Sequence, residues 1–330
     1  MKAAAYRSYG SPDVVTAVEV PRPVPRDDEI LVRVHAATVG IVDSLARRGQ
    51  PRYARFYFGL RRPRSPVLGT DFAGRVEAAG PAVTGFGVGD RVFGTLAPRF
   101  GAHAEYVCLS GQAAVDHMPA NVSYAEAAAL ADTTALCFLR DKARLRPGQT
   151  IVINGASGAV GAAAVQLARH FGATVTGVCS GPNTDLVGKL GAESVVDYTQ
   201  ADFTRAGRAY DVIFDVAGTS SFGRCRPALN PGGSYLTTAP SPAILMQMPW
   251  TARFGSRKAV VAFTGLRPAG DKRRDLGYIR ELAEANALAP VIEACYPLER
   301  IADAYRRVDA GHKQGNVVVV MGESAPHERP

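Results

Sequence analysis

Residues 150–161 read Thr150-Ile151-Val152-Ile153-Asn154-Gly155-Ala156-Ser157-Gly158-Ala159-Val160-Gly161, and this stretch limits the fold more than any other. Four β-branched residues predict a strand, glycines follow at intervals of three, and the Ala-rich continuation predicts a helix over 158–171 ended by Gly172. A strand passing through a glycine turn into a helix opens a βαβ unit, and its next strand must lie parallel to the first. The pattern then repeats. Strand 173–179 leads to a helix over 184–190, followed by strands at 194–198 and 211–216, a helix near 220–229, and strands at 233–238 and 258–264. That alternation predicts a doubly wound parallel sheet, an α/β fold.

Residues 1–120 follow a different pattern. Ile30, Val32 and Val34 alternate with Leu31, Arg33 and His35, as in a half-buried strand. Glycines recur at 69, 74, 80, 85, 87, 89, 94 and 101, close to one per turn, and predict a small, strongly bent β-barrel. Ser123-Tyr124-Ala125-Glu126 is a capping box, from which a helix is expected to run to about Arg144. Helices near 271–287 and 298–310 and a strand over 316–321 close the chain, and its polar tail, 323–330, is expected to fray.

The glycine turn also carries chemistry. It is an A-x-G-x-x-G variant of the dinucleotide fingerprint: Ala156 takes the first position, Gly158 lets a pyrophosphate approach the backbone, and Gly161 permits close helix–sheet packing. The pyrophosphate would rest on a helix N-terminus, against Ser157, Gly158, Ala159 and Val160. The plainer alternative is a packing turn in another α/β fold. Counting about 20 residues from Gly158 reaches Val178, and no acid occurs before Asp185. The carboxylate that accepts from the ribose of NAD is therefore missing from the second strand, which favours NADP. Ser180, Asn183 and Tyr198 are candidate donors to the 2′-phosphate, with Lys313 adding charge, although no Arg or Lys lies in 180–188. The alternative for Ser180 and Asn183 is capping of the next helix.

Composition excludes several classes. The five cysteines lack metal-ligand spacing, and their odd number argues against a disulfide framework. No apolar run reaches the roughly 20 residues of a membrane span, and the N-terminus lacks a signal-peptide core, so a cytoplasmic protein is expected. The net charge is +8, and seven arginines fall between Arg47 and Arg64 with no acid among them. They are read as a solvated loop, with Tyr53, Phe56, Tyr57 and Phe58 roofing a pocket as the alternative. Without a recognition helix or RNA-binding signature, nucleic acid is a disfavoured partner.

Over about 320 of its 330 residues the chain resembles the medium-chain dehydrogenase/reductase superfamily, in its zinc-independent quinone oxidoreductase-like branch. The resemblance rests on ordered segments: Met1-Lys2-Ala3 with Tyr9-Gly10-Ser11-Pro12, then Leu68-Gly69-Thr70-Asp71-Phe72-Ala73-Gly74, and Gly89-Asp90-Arg91-Val92-Phe93-Gly94. The fingerprint follows, with Leu190-Gly191-Ala192, Val195-Val196-Asp197-Tyr198 and Gly311-His312-Lys313-Gln314-Gly315-Asn316. Zinc alcohol dehydrogenases of the superfamily carry Cys where this chain has Gly40 and Gly-His-Glu where it has Gly69-Thr70-Asp71, and they add a four-cysteine lobe absent here. No metal site is expected. The chain also lacks the Asn at the Gly40 position, and the Tyr near Leu45, of many quinone oxidoreductases.

The resemblance implies a GroES-like barrel from residues 1–120 and 264–330, a Rossmann domain over 121–263, and an active site in the cleft between them. It implies that Thr134 lies toward the nicotinamide, and that Val216, Ala217 and Gly218 border cofactor and substrate at the end of the fourth strand. Asn316 joins Lys313 among the cofactor residues. Tyr53, Tyr57 and Thr70 are the candidate catalytic donors, with surface packing the alternative for each tyrosine. The expected activity is NADPH-dependent reduction of a quinone, enone or similar small apolar carbonyl by direct hydride transfer, in a homodimer. A metal-free alcohol or aldehyde oxidoreductase, a redox-inactive NADPH sensor and an RNA-binding protein are the alternatives. The apolar run Ala243–Trp250 is read as pocket lining, subunit contact or core loop.

Overall fold

The computed structural model describes residues 1–322; the expected fraying of 323–330 lies outside the described residues. Two compact units divide the chain. Unit 1 comprises Met1–Asp132, Gly265–Asn286 and Pro290–Pro330, and unit 2 comprises Thr133–Thr264 with Ala287–Ala289.

Unit 1 opens with β1 (Lys2–Ala5) and β2 (Thr16–Glu19), paired antiparallel, followed by β3 (Glu29–Val39), α1 (Ile41–Arg48) and the single turn α2 (Arg55–Phe58). After these come β4 (Asp71–Ala79), β5 (Arg91–Thr95), β6 (Tyr106–Ser110), β7 (Val115–His117) and α3 (Tyr124–Leu130). β3 is long enough to carry β4 on one side and, on the other, β6 along its first half. Ile30, Val32 and Val34 are buried while Arg33 is exposed and His35 partly so, as the alternation predicts, and the buried Leu31 is the one departure. The capping box forms as expected, with Glu126 N–H donating to Ser123 Oγ and Ser123 N–H to Glu126 Oε2.

The helix expected to continue to Arg144 is broken after Leu130, and helical structure resumes over Thr134–Lys142. The break coincides with the passage of the chain from one unit to the other at Asp132–Thr133. α3 packs on β3 and β4, and Tyr124 stacks on His35 at 4.2 Å. The division therefore falls at residue 132 rather than at 120.

Unit 2 holds the short α4 (Thr134–Leu136), a π-helical turn over Cys137–Lys142, β8 (Thr150–Asn154), α5 (Ala159–His170), β9 (Thr174–Cys179), α6 (Thr184–Lys189) and β10 (Ser194–Asp197). It continues with β11 (Tyr210–Asp215), α7 (Phe222–Cys225), β12 (Leu229–Thr237), α8 (Pro242–Phe254) and β13 (Lys258–Val261). The six strands are parallel in the order β10-β9-β8-β11-β12-β13. All their carboxyl ends therefore lie along one edge. The run Ala243–Trp250 is part of α8 rather than a core loop: Ile244 is buried, whereas Met246, Trp250 and Phe254 are exposed.

The returning segment adds α9 (Ala269–Glu284), β14 (Ile292–Pro297), α10 (Ile301–Asp309) and β15 (Asn316–Val320) to unit 1. β15 pairs with the second half of β3 through Val317–Val320, completing the sheet around a core that includes Phe72, Leu109, Tyr305 and Val319.

Candidate active site

In unit 2 the site residues gather at the carboxyl edge of the sheet. Gly155 adopts φ +88°, a left-handed conformation that favours glycine, and its N–H and that of Ala156 both donate to Val178 O. A Cβ on Gly161 would stand 2.0 Å from Gly155 O, so this glycine is required by packing. Gly158 is different. A Cβ there meets nothing nearer than Gly155 O at 3.6 Å, an ordinary contact. Gly158 is also the N-cap of α5, which has no side-chain cap. The first-turn N–H groups at Ala159 and Val160 have no partner within their own helix, and the helix dipole favours an anion there. The residues present thus fit a dinucleotide pyrophosphate.

A buried carboxylate fixes the neighbouring loop. Asp215, at the end of β11, accepts from Asn154 Nδ2 and Tyr235 OH, both at 2.8 Å, from Gly218 N at 3.0 Å and from Ser220 N at 2.9 Å. Three strand ends and the loop 216–220 are thereby tied to one group. Val216 and Ala217 N–H donate to Asn154 O, and Ala217 and Gly218 are exposed beyond it. Thr134, at the start of α4, is hydrogen-bonded to Thr264 Oγ1 at 3.0 Å.

At the end of β9, Asn183 is buried and spends its amide on Ser157 Oγ (3.1 Å) and Ser180 Oγ (3.2 Å). Neither Ser180 nor Asn183 caps the helix that follows, so the capping alternative fails. Asn183 instead positions two hydroxyls. Tyr198, just past β10, is 47% exposed.

Unit 1 holds the three expected donors and a set of charged groups that sequence spacing does not reveal. Tyr53 is 64% exposed; Tyr57 OH donates to Pro98 O at 2.9 Å; Thr70 hydrogen-bonds the side chain of Asp71. Asp71 begins β4 directly opposite Thr95 on β5, and Thr38 on β3 donates to it at 3.4 Å. Burial, with Asp132 and Asp43 nearby, pushes its carboxyl up to about 7, against the pull of the Thr95 and Thr70 hydroxyls. Lys272 on α9, 2% exposed, donates to Ala97 O and to Gly265 O; burial lowers its ammonium and Asp71 opposes that shift. Lys313 donates to Gly315 O, and burial pushes it down to about 8 despite Glu293 and Asp132. Asn316 N and Nδ2 both donate to Val291 O.

Asp43 is buried beside His103. It accepts from Gly40 N–H (2.8 Å) and Gly69 N–H (2.9 Å), and burial raises its carboxyl while lowering the His103 imidazole. His103 Nε2 lies 2.9 Å from Thr38 O. Among the described residues no cluster of three or more His, Cys, Asp or Glu is placed to hold a metal ion.

The arginine segment is not solvated along its whole length. Arg47 is fully buried rather than solvated: it bonds Gly10 O, Ser44 Oγ and the Asp309 carboxylate, and lies over the Tyr305 ring. Arg55 lies over Tyr9 and donates to Gly49 O. These two are structural, because each finds a carbonyl and an aromatic face. Arg52, Arg61, Arg62 and Arg64 are exposed.

Comparison with known proteins agrees with this architecture. The model of the alcohol dehydrogenase GroES-like domain matches residues 26–134, and that described as zinc-binding dehydrogenase matches residues 190–319. A chloroplastic quinone-oxidoreductase homolog of Spinacia oleracea is 33% identical over 97% of this chain and 98% of its own length. A quinone oxidoreductase of Pongo abelii is 28% identical over 94% of each. The solved quinone oxidoreductase of Coxiella burnetii superposes with a TM-score of 0.86 at 27% identity, over 97% of this chain and 99% of that one. The chain belongs to the medium-chain dehydrogenase/reductase superfamily, in its quinone oxidoreductase-like branch. It is an oxidoreductase using a nicotinamide cofactor. No described helix is long and apolar enough to cross a membrane.

Proposed function

We propose that this chain catalyses NADPH-dependent reduction of a quinone, an α,β-unsaturated carbonyl or a similar small apolar carbonyl, without a metal. The observation that carries the reading is the uncapped start of α5 behind Gly158, set at the sheet edge where Asp215 holds the 216–220 loop. Bound there, NADPH supplies a hydride. The chain's own residues do the remainder. Ser157 to Val160 seat the pyrophosphate, Thr134 and Val216–Gly218 orient the nicotinamide, and Ser180, Tyr198, Lys313 and Asn316 complete the cofactor contacts. Asn183 acts by orienting Ser157 and Ser180.

Reduction of a quinone or enone takes up a proton as well as a hydride. Asp71, its carboxyl raised to about 7, exchanges a proton near neutral pH and is the proposed source; Thr70 relays it, and Tyr53 and Tyr57 are further donors to the substrate oxygen. Zinc plays no part, because Gly40 and Thr70 cannot ligate as Cys and His do. The subunit contact of a homodimer is assigned to β13, whose outer edge is unpaired within the sheet, with the exposed apolar side of α8 beside it.

The test is NADPH oxidation measured across quinones, enones and aldehydes. Turnover of quinones or enones supports the reading. Turnover confined to aldehydes replaces it with carbonyl reduction, and no turnover with any acceptor rejects an enzymatic role.

A further inference from the structure

The second strand carries no acid, but the third strand delivers one to the same place. β10 runs parallel to β9, with Asp197 in register with Cys179, the last residue before Ser180. Its side chain reaches across the end of β9. A Cβ on Gly181 would lie 2.9 Å from Asp197 Oδ2, and the Gly181 N–H donates to the carboxylate. Thr199 fixes the other oxygen, through its N–H at 3.0 Å and its hydroxyl at 2.8 Å, while Gln200 Nε2 donates to Oδ2 at 3.2 Å. These donors, with Thr199 foremost, hold the carboxyl below the usual range, so it is ionised at neutral pH. A fixed negative charge therefore stands beside Ser180 and Gly181, at the end of β9 where a ribose 2′ substituent is recognised in folds of this type. No Lys or Arg in 180–188 offsets it, and Asn183 is turned inward to Ser157.

We infer that Asp197 is a specificity-determining residue for the dinucleotide, its carboxylate opposing a 2′-phosphate and favouring a free 2′-hydroxyl, so that NADPH is preferred only narrowly and NADH also serves. The inference rests on the reading of residues 154–161 as a dinucleotide site. It differs from the expectation drawn from β9 alone, which contains no opposing charge.

Dissociation constants for NADPH and NADH, measured by calorimetry on wild type and Asp197→Asn, test it. The amide keeps an acceptor for Thr199 and removes the charge. The NADPH:NADH affinity ratio should rise about tenfold, through tighter NADPH binding. Asp197→Ser is the second variant, each being checked by circular dichroism, and should move the ratio the same way. If both cofactors bind and the ratio stays within about twofold of wild type, or falls, in the folded variants, the inference is overturned. If neither cofactor binds the wild type, the dinucleotide reading fails and takes the inference with it.

Discussion

At the sheet edge of unit 2, Asp215 accepts four hydrogen bonds, two from side chains on the neighbouring strands β8 and β12 and two from backbone N–H groups of the loop that follows it. In unit 1, Asp71 is placed just as firmly by strand register, between Thr38 and Thr95, yet its nearest charged neighbours include two other carboxylates. The two carboxyls share a residue type and a strand-end location. They differ in what surrounds them. Donors turn one into a geometric anchor, while burial among acids makes the other retain a proton near neutrality. Holding a cofactor calls for fixed positions, and exchanging protons calls for a group whose charge is finely balanced. On the function proposed above, Asp215 answers the first need and Asp71 the second.

The comparison is most exposed to failure at the glycine turn. Gly158→Val should reduce NADPH affinity at least a hundredfold, or about 2.8 kcal/mol, with little change in thermal midpoint, because its Cβ has room. Gly161→Val should fail to fold, since its Cβ overlaps Gly155 O. Titration and thermal melts of both variants check the pair; two equally unstable proteins would refute the distinction. Next in size is Asp215→Ala, which leaves the buried Tyr235 hydroxyl without its acceptor and Asn154 Nδ2 with only Thr219 Oγ1. Equilibrium unfolding should show a loss of about 2–4 kcal/mol, from the buried donors left unsatisfied.

Asp71→Asn should act in the opposite sense and depend on pH. Its folded carboxyl titrates at about 7, above the ordinary 3.8, so the folded protein binds the extra proton between those values. Wild-type stability from this group is accordingly lost as pH rises from about 4 to about 7. The Asn variant should match wild type near pH 4 and exceed it at pH 8, as read from unfolding free energies at both values. Identical pH profiles would show that Asp71 is not a proton store. The smallest effects belong to the tyrosines. Tyr57→Phe removes one exposed hydrogen bond to Pro98 O and should cost about 0.5–1 kcal/mol, while Tyr53→Phe should leave stability unchanged. A drop in turnover for either would move the proton source from Asp71 toward that hydroxyl.

How far the sequence discloses this arrangement depends on distance along the chain. The strand, glycine turn and helix at 150–170 are contiguous, and their features follow from local pattern. The capping box at Ser123 is equally local, but the break after Leu130 coincides with the chain passing between units. The alternation along β3 is local and holds except at Leu31, whereas its partners β6 and β15 lie far along the chain and leave no local signal. Asp71, Asp132, Lys272 and Lys313 come from four separate segments, with no spacing signature. Asp197 has no local signature as a ribose neighbour, because its approach to Gly181 follows from the register of two parallel strands.

The split of unit 1 has a consequence for how the protein is made. Its first 132 residues emerge from the ribosome well before β15, so the second half of β3 waits with an unpaired edge, and Arg47 waits for Asp309. Unit 2 has all six of its strands by residue 261 and nothing in its sheet to wait for. Synthesis in one direction therefore favours completion of the later-made sheet first, while the earlier-made one remains an open template that a chaperone or a stray strand can reach. Truncation near residue 290 would leave that edge open permanently, and such a fragment should aggregate even though its dinucleotide fingerprint is intact.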